Sequence, residues 1–231
     1  MKKPTFINDE IYHIYNRGTE KRKIFLDKQD HLRFIHNLFE FNDENSVPNF
    51  SRSFTMSEAM SEVEPRSRPR KLLVKILIFT LMPNHFHLLL KQEEVNGIVK
   101  FMQKLGTGYT MYFNKKYKRV GGLFQGRFKA VLINEHAHFL YLPYYIHLNP
   151  LSLPNKANTT TVSFIEKMNF LENYKWSSFP DYIGKKNFPS VVQREFLLNF
   201  FGDEKKYKKD TLEWLKNDDE NTEEIQGITL D

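Results

Sequence analysis

The chain contains no cysteine among its 231 residues. This absence excludes disulfides, thiolate zinc sites and a cysteine nucleophile, so any metal must be bound by histidine, carboxylate, amide or water. The sequence also lacks an uninterrupted apolar run approaching the roughly eighteen residues of a membrane span, and no long apolar segment follows the two N-terminal lysines. We therefore expect a cytoplasmic protein with no membrane partner.

Positive charge and aromatic side chains are what the sequence has in quantity. The formal net charge is +6 and aromatic residues make up 15% of the chain. The final stretch, "NDDENTEEIQGITLD", is acidic, so the remainder is more basic than the total indicates. Lysine and arginine bind phosphates and aromatic rings stack on unpaired bases, so this composition favours a single-stranded nucleic acid partner. The alternative is a basic surface that serves solubility over a phenylalanine-rich core.

Apolar patterning predicts the order β-α-β-β-α-β-α within residues 1–155. The strands are predicted in "IYHIYNR", "KLLVKILIFTLM", "NHFHLLLK" and "GGLFQGRFKAVLIN". The helices are predicted after Asp27, which is a suitable N-cap, in "NGIVKFMQKLGTGYTMYFNKKYKR" and in "EHAHFLYLPYYIHLNPL". This order is typical of an α+β fold with a ferredoxin-like antiparallel sheet and helices on one face.

Composition divides the chain further. Residues 42–70 are rich in serine, proline and charge, and predict a mobile insertion in the first domain. Residues 156–231 carry short amphipathic pieces and the acidic tail, and we interpret them as a C-terminal helical appendage.

Two histidines interrupt the apolar segment "LMPNHFHLLLK". On a strand, His85 and His87 project to the same side, which places two imidazoles a few ångströms apart. Neutral imidazole is the commonest metal ligand in proteins, so the pair is a candidate metal site. The alternative is two half-buried histidines that are bonded to neighbouring groups.

A second candidate group lies in "YLPYYIHLNP". Tyr145 and Asn149 are four residues apart and share one face of a helix. If this helix packs beside His85 and His87, a phenol and an amide oxygen join the two imidazoles. A tyrosine hydroxyl can attack a phosphodiester while a divalent ion polarises the phosphoryl oxygens.

Five segments, "YHIYNRG", "FTLMPNHFHLLL", "GGLFQGRFKAVLI", "YIHLNP" and "YKWSSFPDYIG", resemble in order and spacing the REP-associated tyrosine transposases, which are single-tyrosine HUH transposase-like proteins. The resemblance spans about residues 7–184. It implies the HUH endonuclease fold and metal-dependent cleavage and strand transfer of single-stranded or hairpin DNA through a covalent 5′-phosphotyrosine.

The resemblance also implies roles for individual residues. His85 and His87 match the metal ligands and Tyr145 the nucleophile, whereas Asn149 matches a position where related transposases place a glutamine ligand. A phosphate substrate suits Mg²⁺ or Mn²⁺ as the divalent metal ion. Tyr141 is the next candidate nucleophile, and Pro143 predicts a helix that kinks or begins there.

Several basic residues are candidates for DNA contact. Arg17, Arg127 and Lys129 lie in the resembling segments and can bind phosphate, with a structural ion pair as the alternative for Arg127. Lys115 and Lys118 belong to a charged run at a predicted helix end that can face DNA. Among the remaining histidines, His13 could approach the site but is expected as a satisfied core histidine, and His147 either packs or touches DNA.

Three functions therefore compete. The first is a transposase-like enzyme, the second a hairpin-DNA-binding protein without catalysis on the same fold, and the third a structural module. The presence of His85, His87 and Tyr145 together favours the enzyme. The short connection at residues 134–138 favours action within one subunit and a monomer, with a dimer possible.

Overall fold

The computed structural model describes residues 4–45, 69–154 and 162–217. Its elements follow the predicted order and continue into a helical C-terminal region. They are β1 (Ile11–Arg17), α1 (Lys28–Glu40), β2 (Val74–Met82), β3 (His85–Gln92), α2 (Gly97–Lys116), β4 (Lys129–Leu132), α3 (His136–Leu148), α4 (Phe164–Asn173), α5 (Phe179–Tyr182), α6 (Glu195–Phe201) and α7 (Glu204–Lys216).

The four strands form one antiparallel sheet in the order β2-β3-β1-β4. The two central strands are β3 and β1, and β2 turns directly into β3 through Pro83 and Asn84. This order confirms the predicted ferredoxin-like class. It also makes β1 the direct neighbour of the strand that carries His85 and His87.

Helices α1 and α2 cover the first face of the sheet. Asp27 caps α1 as predicted, because its side chain accepts a hydrogen bond from the backbone N–H of Asp30. In return, the Asp30 carboxylate accepts a hydrogen bond from the backbone N–H of Asp27. Apolar side chains from both helices bury themselves against alternate residues of the strands. Phe34, Phe101 and Leu105 are among these, and each is fully buried.

Helices also cover the second face, which corrects the prediction of helices on one face only. Helix α3 packs on this side, continuing through Pro143, and α4 to α7 extend the same core. The physical reason lies in β2, where Leu77 and Ile78 belong to the second core while Ile76 and Phe79 belong to the first. A strand that is apolar on both sides must be buried on both sides.

The C-terminal region is helical as predicted, but it packs as part of the fold. Its backbone runs along the outer edge of β2, where Trp176 accepts a hydrogen bond from Leu81 and Ser178 donates one to Phe79. Gln193 donates similarly to the carbonyl of Ile76. An exposed edge strand presents unpaired backbone groups, and this segment pairs several of them.

The first residue of the predicted insertion is held against the start of β2. Asn42 is buried, and its side-chain carbonyl accepts hydrogen bonds from the backbone N–H groups of Leu73 and Val74. The rest of the predicted insertion, residues 46–68, and the acidic tail beyond residue 217 lie outside the described residues. Within the described ranges, no helix is both long and apolar enough to cross a membrane.

Candidate active site

The two histidines of β3 lie on the second face of the sheet, beneath α3. Across the sheet, His87 is paired in register with Thr80 on β2 and with Tyr15 on β1. On the other side of β1, Tyr15 is paired with Lys129 of β4. Two residues before His87, at the start of β3, His85 is paired with Arg17. The sheet thus aligns imidazoles, a phenol and two cations on one surface.

His87 is fully buried, and only one of its ring nitrogens is bonded. Its Nδ1 lies 2.9 Å from Nε2 of His13, which is also fully buried. Its Nε2 has no hydrogen-bond partner among the described residues. Burial, with smaller effects from His13 and His85, holds the pKa of His87 well below its usual value of 6.5. The ring is therefore neutral at physiological pH, as a metal ligand must be.

His85, the second imidazole, lies at the start of β3 and is partly exposed. Its ring centre lies 5.0 Å from that of His87, and the two rings are nearly perpendicular. Its Nδ1 lies 2.7 Å from Oδ1 of Asn84. Because an amide oxygen only accepts, Nδ1 of His85 is the donor in this hydrogen bond.

Helix α3 brings Tyr145 to this pair. The ring centre of Tyr145 lies 6.2 Å from that of His87, and the side chain is half-buried. Tyr144 instead stacks on Tyr207 of α7, and burial raises its pKa. Tyr141 makes no ring contact with either histidine within the described part of the chain. Geometry therefore favours Tyr145 among the three tyrosines of α3.

Asn149 caps the end of α3. Its Nδ2 donates a hydrogen bond to the carbonyl oxygen of Tyr145 at 3.1 Å, which ties the amide to the last turn of the helix. The remaining amide atom, Oδ1, is the one with metal-binding chemistry. Its contact with the metal stays a prediction.

Two residues of β1 join the site. His13, expected as a satisfied core histidine that could approach the site, is fully buried and is the hydrogen-bonding partner of His87. Tyr15 was not considered, yet its ring centre lies 6.1 Å from that of His87. The period of two in "HIYNR" places His13, Tyr15 and Arg17 on one face, which is the available signal. The pairing of β1 with β3 places this face of β1 beside His85 and His87.

His147 packs in the second core and does not reach the surface. Its Nδ1 lies 2.9 Å from the hydroxyl of Tyr207 and its Nε2 lies 2.9 Å from the hydroxyl of Ser178. Burial lowers its pKa from 6.5 to about 3. Of its two predicted roles, the structure supports packing.

The candidate DNA-binding residues separate into two groups. Arg17 is paired across the sheet with His85, and Lys129 is paired with Tyr15, the neighbour of His87. Arg17 also donates a hydrogen bond from Nε to the side chain of Gln125 at 2.6 Å. Arg127 is exposed on the loop before β4, and no ion pair of its side chain is found within the described residues. Lys115 and Lys118 lie at and just after the end of α2, and no described contact joins them to the histidines.

The residues present fit an open metal site. No group of three or more His, Asp or Glu side chains able to hold a metal occurs among the described residues. The donor set is instead two imidazoles, of which the fully buried ring of His87 is held neutral. A buried imidazole nitrogen without a partner costs free energy unless something binds it, and this is the observation that fits a metal at His87.

Comparison with known families identifies the central part of this site. Residues 66–149 match the family model described as "Transposase IS200 like". Over this segment the chain is similar to the IS200-like transposases. The segment covers about a third of the chain and runs from before β2 to the end of α3, so it contains His85, His87, Tyr145 and Asn149. The resemblance inferred from the sequence is thereby confirmed for the transposase segment.

Among solved structures, the chain is similar to one described as "Structure of the REP associates tyrosine transposase bound to a REP hairpin". The TM-score is 0.46 and the identity 12%, over 83% of this chain and 89% of that chain. This likeness is too low for residue roles to be transferred. A search of curated protein sequences finds no match.

Proposed function

We propose that this chain cleaves and rejoins single-stranded or hairpin DNA with Tyr145 as the nucleophile. The observation that carries the proposal is the buried, unpartnered Nε2 of His87 with the Tyr145 ring beside it. A protein that only binds DNA has no physical need for a neutral imidazole nitrogen kept without a partner. The match of residues 66–149 to the IS200-like transposases supports the same class of reaction.

In the proposed reaction the Tyr145 Oη forms a bond to the phosphorus of a phosphodiester, and the bond from phosphorus to the 3′ oxygen breaks. The phenol proton leaves to solvent and the departing 3′ oxygen takes up a proton. The products are a 5′-phosphotyrosine and a free 3′-hydroxyl. Attack by a second 3′-hydroxyl reverses the step and transfers the strand.

His85, His87 and Asn149 would hold a divalent ion, Mg²⁺ or Mn²⁺, which when bound offsets negative charge on the phosphoryl oxygens. His13 would orient the ring of His87 through the 2.9 Å contact. Arg17 and Lys129, on the adjoining strands, would bind phosphates next to the scissile one. Lys115, Lys118 and Arg127 would contact DNA farther from the reacting bond.

The test is formation of a covalent protein–DNA adduct on a denaturing gel. Wild type would be incubated with labelled hairpin oligonucleotides from the genomic neighbourhood of its gene, with Mn²⁺ or with EDTA. We expect an adduct with Mn²⁺ that disappears with EDTA and in Tyr145→Phe. Tyr15→Phe is a matched control, since it removes a phenol near the same His87, and it should keep the adduct.

Other outcomes would redirect the proposal. An adduct that survives in Tyr145→Phe but disappears in Tyr15→Phe or in Tyr141→Phe would move the nucleophile to that residue. Tight binding of a hairpin with no adduct under any metal condition would contradict the enzyme and leave a hairpin-DNA-binding protein on a transposase fold.

A further inference from the structure

A groove of about 680 Å³ lies on the first face of the sheet, away from the histidine pair. One wall is a face of α2, and the other is the loop of residues 122–128. Phe86 and Leu105 contribute to its buried floor, and the rings of Phe124 and Phe128 are only partly buried. This volume is within the usual range for sites that bind small organic groups.

Hydrogen-bonding groups surround this apolar floor. Gln103 and Thr107 are exposed on α2 and line the groove, whereas the amide of Asn16 at the end of β1 is already bonded to Gly126 and Arg17. Amide and hydroxyl groups of this kind can pair with the edge of a nucleobase, and aromatic rings can contact its face. The groove therefore offers both kinds of contact that an unpaired base makes.

The charge around the groove is positive. Arg127 lines it, and no acidic side chain is found among the described residues that do so. The basic run of Lys115, Lys118 and Arg119 leads from the end of α2 into the loop that forms its outer wall. A chain of phosphates is attracted to such a surface, whereas a neutral or basic apolar peptide gains nothing from it.

The same loop connects the groove with the proposed active site. Gln125 accepts a hydrogen bond from Arg17, which lies beside His85 on the second face. Two residues later, Arg127 faces the groove on the first face. Asn16 and Arg17 likewise present neighbouring side chains to the two sides of β1. A strand that crosses this end of the sheet meets both surfaces.

We propose that the groove binds an unpaired nucleobase next to the segment of DNA that reaches Tyr145, with the phosphate of that nucleotide on Arg127. This proposal rests on the proposed function for its choice of DNA as the ligand. It adds a place where the protein contacts a base, in addition to the backbone contacts expected near the histidines.

Gly106 offers a direct test, because a Cβ built on it meets no heavy atom within 4 Å. Gly106→Leu fills part of the groove, and Gly106→Ala is the matched control that leaves most of it open. Both substitutions favour the helix over glycine, so neither is expected to unfold α2. Circular dichroism melting of both variants would verify that they remain folded.

The measurement is fluorescence anisotropy with a hairpin that carries a short thymine flank and with the same hairpin carrying an abasic flank. Wild type and Gly106→Ala should bind the thymine flank about tenfold more tightly, a preference typical of a base held against an aromatic surface. Gly106→Leu should bind the two flanks equally. Persistence of the preference in Gly106→Leu, or its absence in wild type, would overturn the proposal.

The remaining outcomes separate this proposal from the proposed function. A flank preference without any covalent adduct would overturn the proposed function alone, since binding does not require cleavage. An adduct without a flank preference would overturn the groove alone. A change in molecular mass on light scattering in Gly106→Leu, with no change in flank binding, would show instead that the groove joins two copies of the chain.

Discussion

Two buried histidines, His87 on β3 and His147 on α3, differ in how their ring nitrogens are used. Both are 0% exposed, and burial lowers the pKa of both. His147 has a hydroxyl 2.9 Å from each nitrogen. His87 has a partner on Nδ1 only. Charge state therefore does not separate the two residues, whereas the second nitrogen does.

The two environments therefore differ in whether a ring nitrogen is left for a ligand. The surroundings of His147 are complete without a ligand, because Tyr207 and Ser178 use both nitrogens. The surroundings of His87 are complete only when something binds Nε2. The first arrangement stabilises the packing of α3 on the C-terminal region, and the second leaves the nitrogen to which the proposed metal would bind.

We expect the largest effects when His87 and His147 are each replaced by leucine. We expect His87→Leu to lose Mn²⁺ binding in isothermal titration calorimetry and to stay folded. His147→Leu should keep Mn²⁺ binding but lose about 2–4 kcal/mol of unfolding free energy, because it removes two buried hydrogen bonds and takes from the Tyr207 hydroxyl its ring-nitrogen partner. Urea denaturation measures the second effect. Mn²⁺ binding that survives in His87→Leu would contradict the assigned ligand.

Substitution of His13 removes the hydrogen-bond partner of the His87 ring. Without the hydrogen bond to His13, the ring of His87 is no longer held in one orientation. We expect His13→Phe to weaken Mn²⁺ binding by about 10–100-fold, as is usual for the groups that support metal ligands. His13→Gln retains a hydrogen-bonding group and should lose less. Equal losses in both variants would indicate a packing role only.

The pH dependence of stability is the smallest expected effect. Between about pH 3 and 6.5 the unfolded chain holds a proton at residue 147 that the folded chain lacks. Stability contributed by neutral His147 is therefore complete above pH 6.5 and is lost as the pH falls, with a slope of at most about 1.4 kcal/mol per pH unit.

His147→Gln cannot take up this proton and should show a shallower fall. The measurement is the urea midpoint at several values between pH 4 and 7, compared with wild type. His87→Gln should reduce the slope in the same direction, since burial lowers the pKa of that ring as well. An unchanged slope in His147→Gln would show that its ring does not remain neutral in the folded state.

Local patterns in the sequence predicted most of the fold. Apolar runs predicted the four strands and the order of strands and helices, and the structure contains both. The spacing of His85 and His87 predicted one shared face, and both rings lie on it. No local pattern predicted that Asn42, a residue common in loops, is bonded to backbone groups at the start of β2 that are distant in sequence.

By itself, the sequence determined the elements, their order and the residues with suitable chemistry, since strand and helix periods depend on neighbours a few positions apart. The tertiary structure decided which of these residues meet. His13 joins His87 only because β1 pairs with β3, and Tyr145 faces His87 while Tyr144 faces α7 because of how α3 packs. Such contacts depend on long-range burial, which no local pattern specifies.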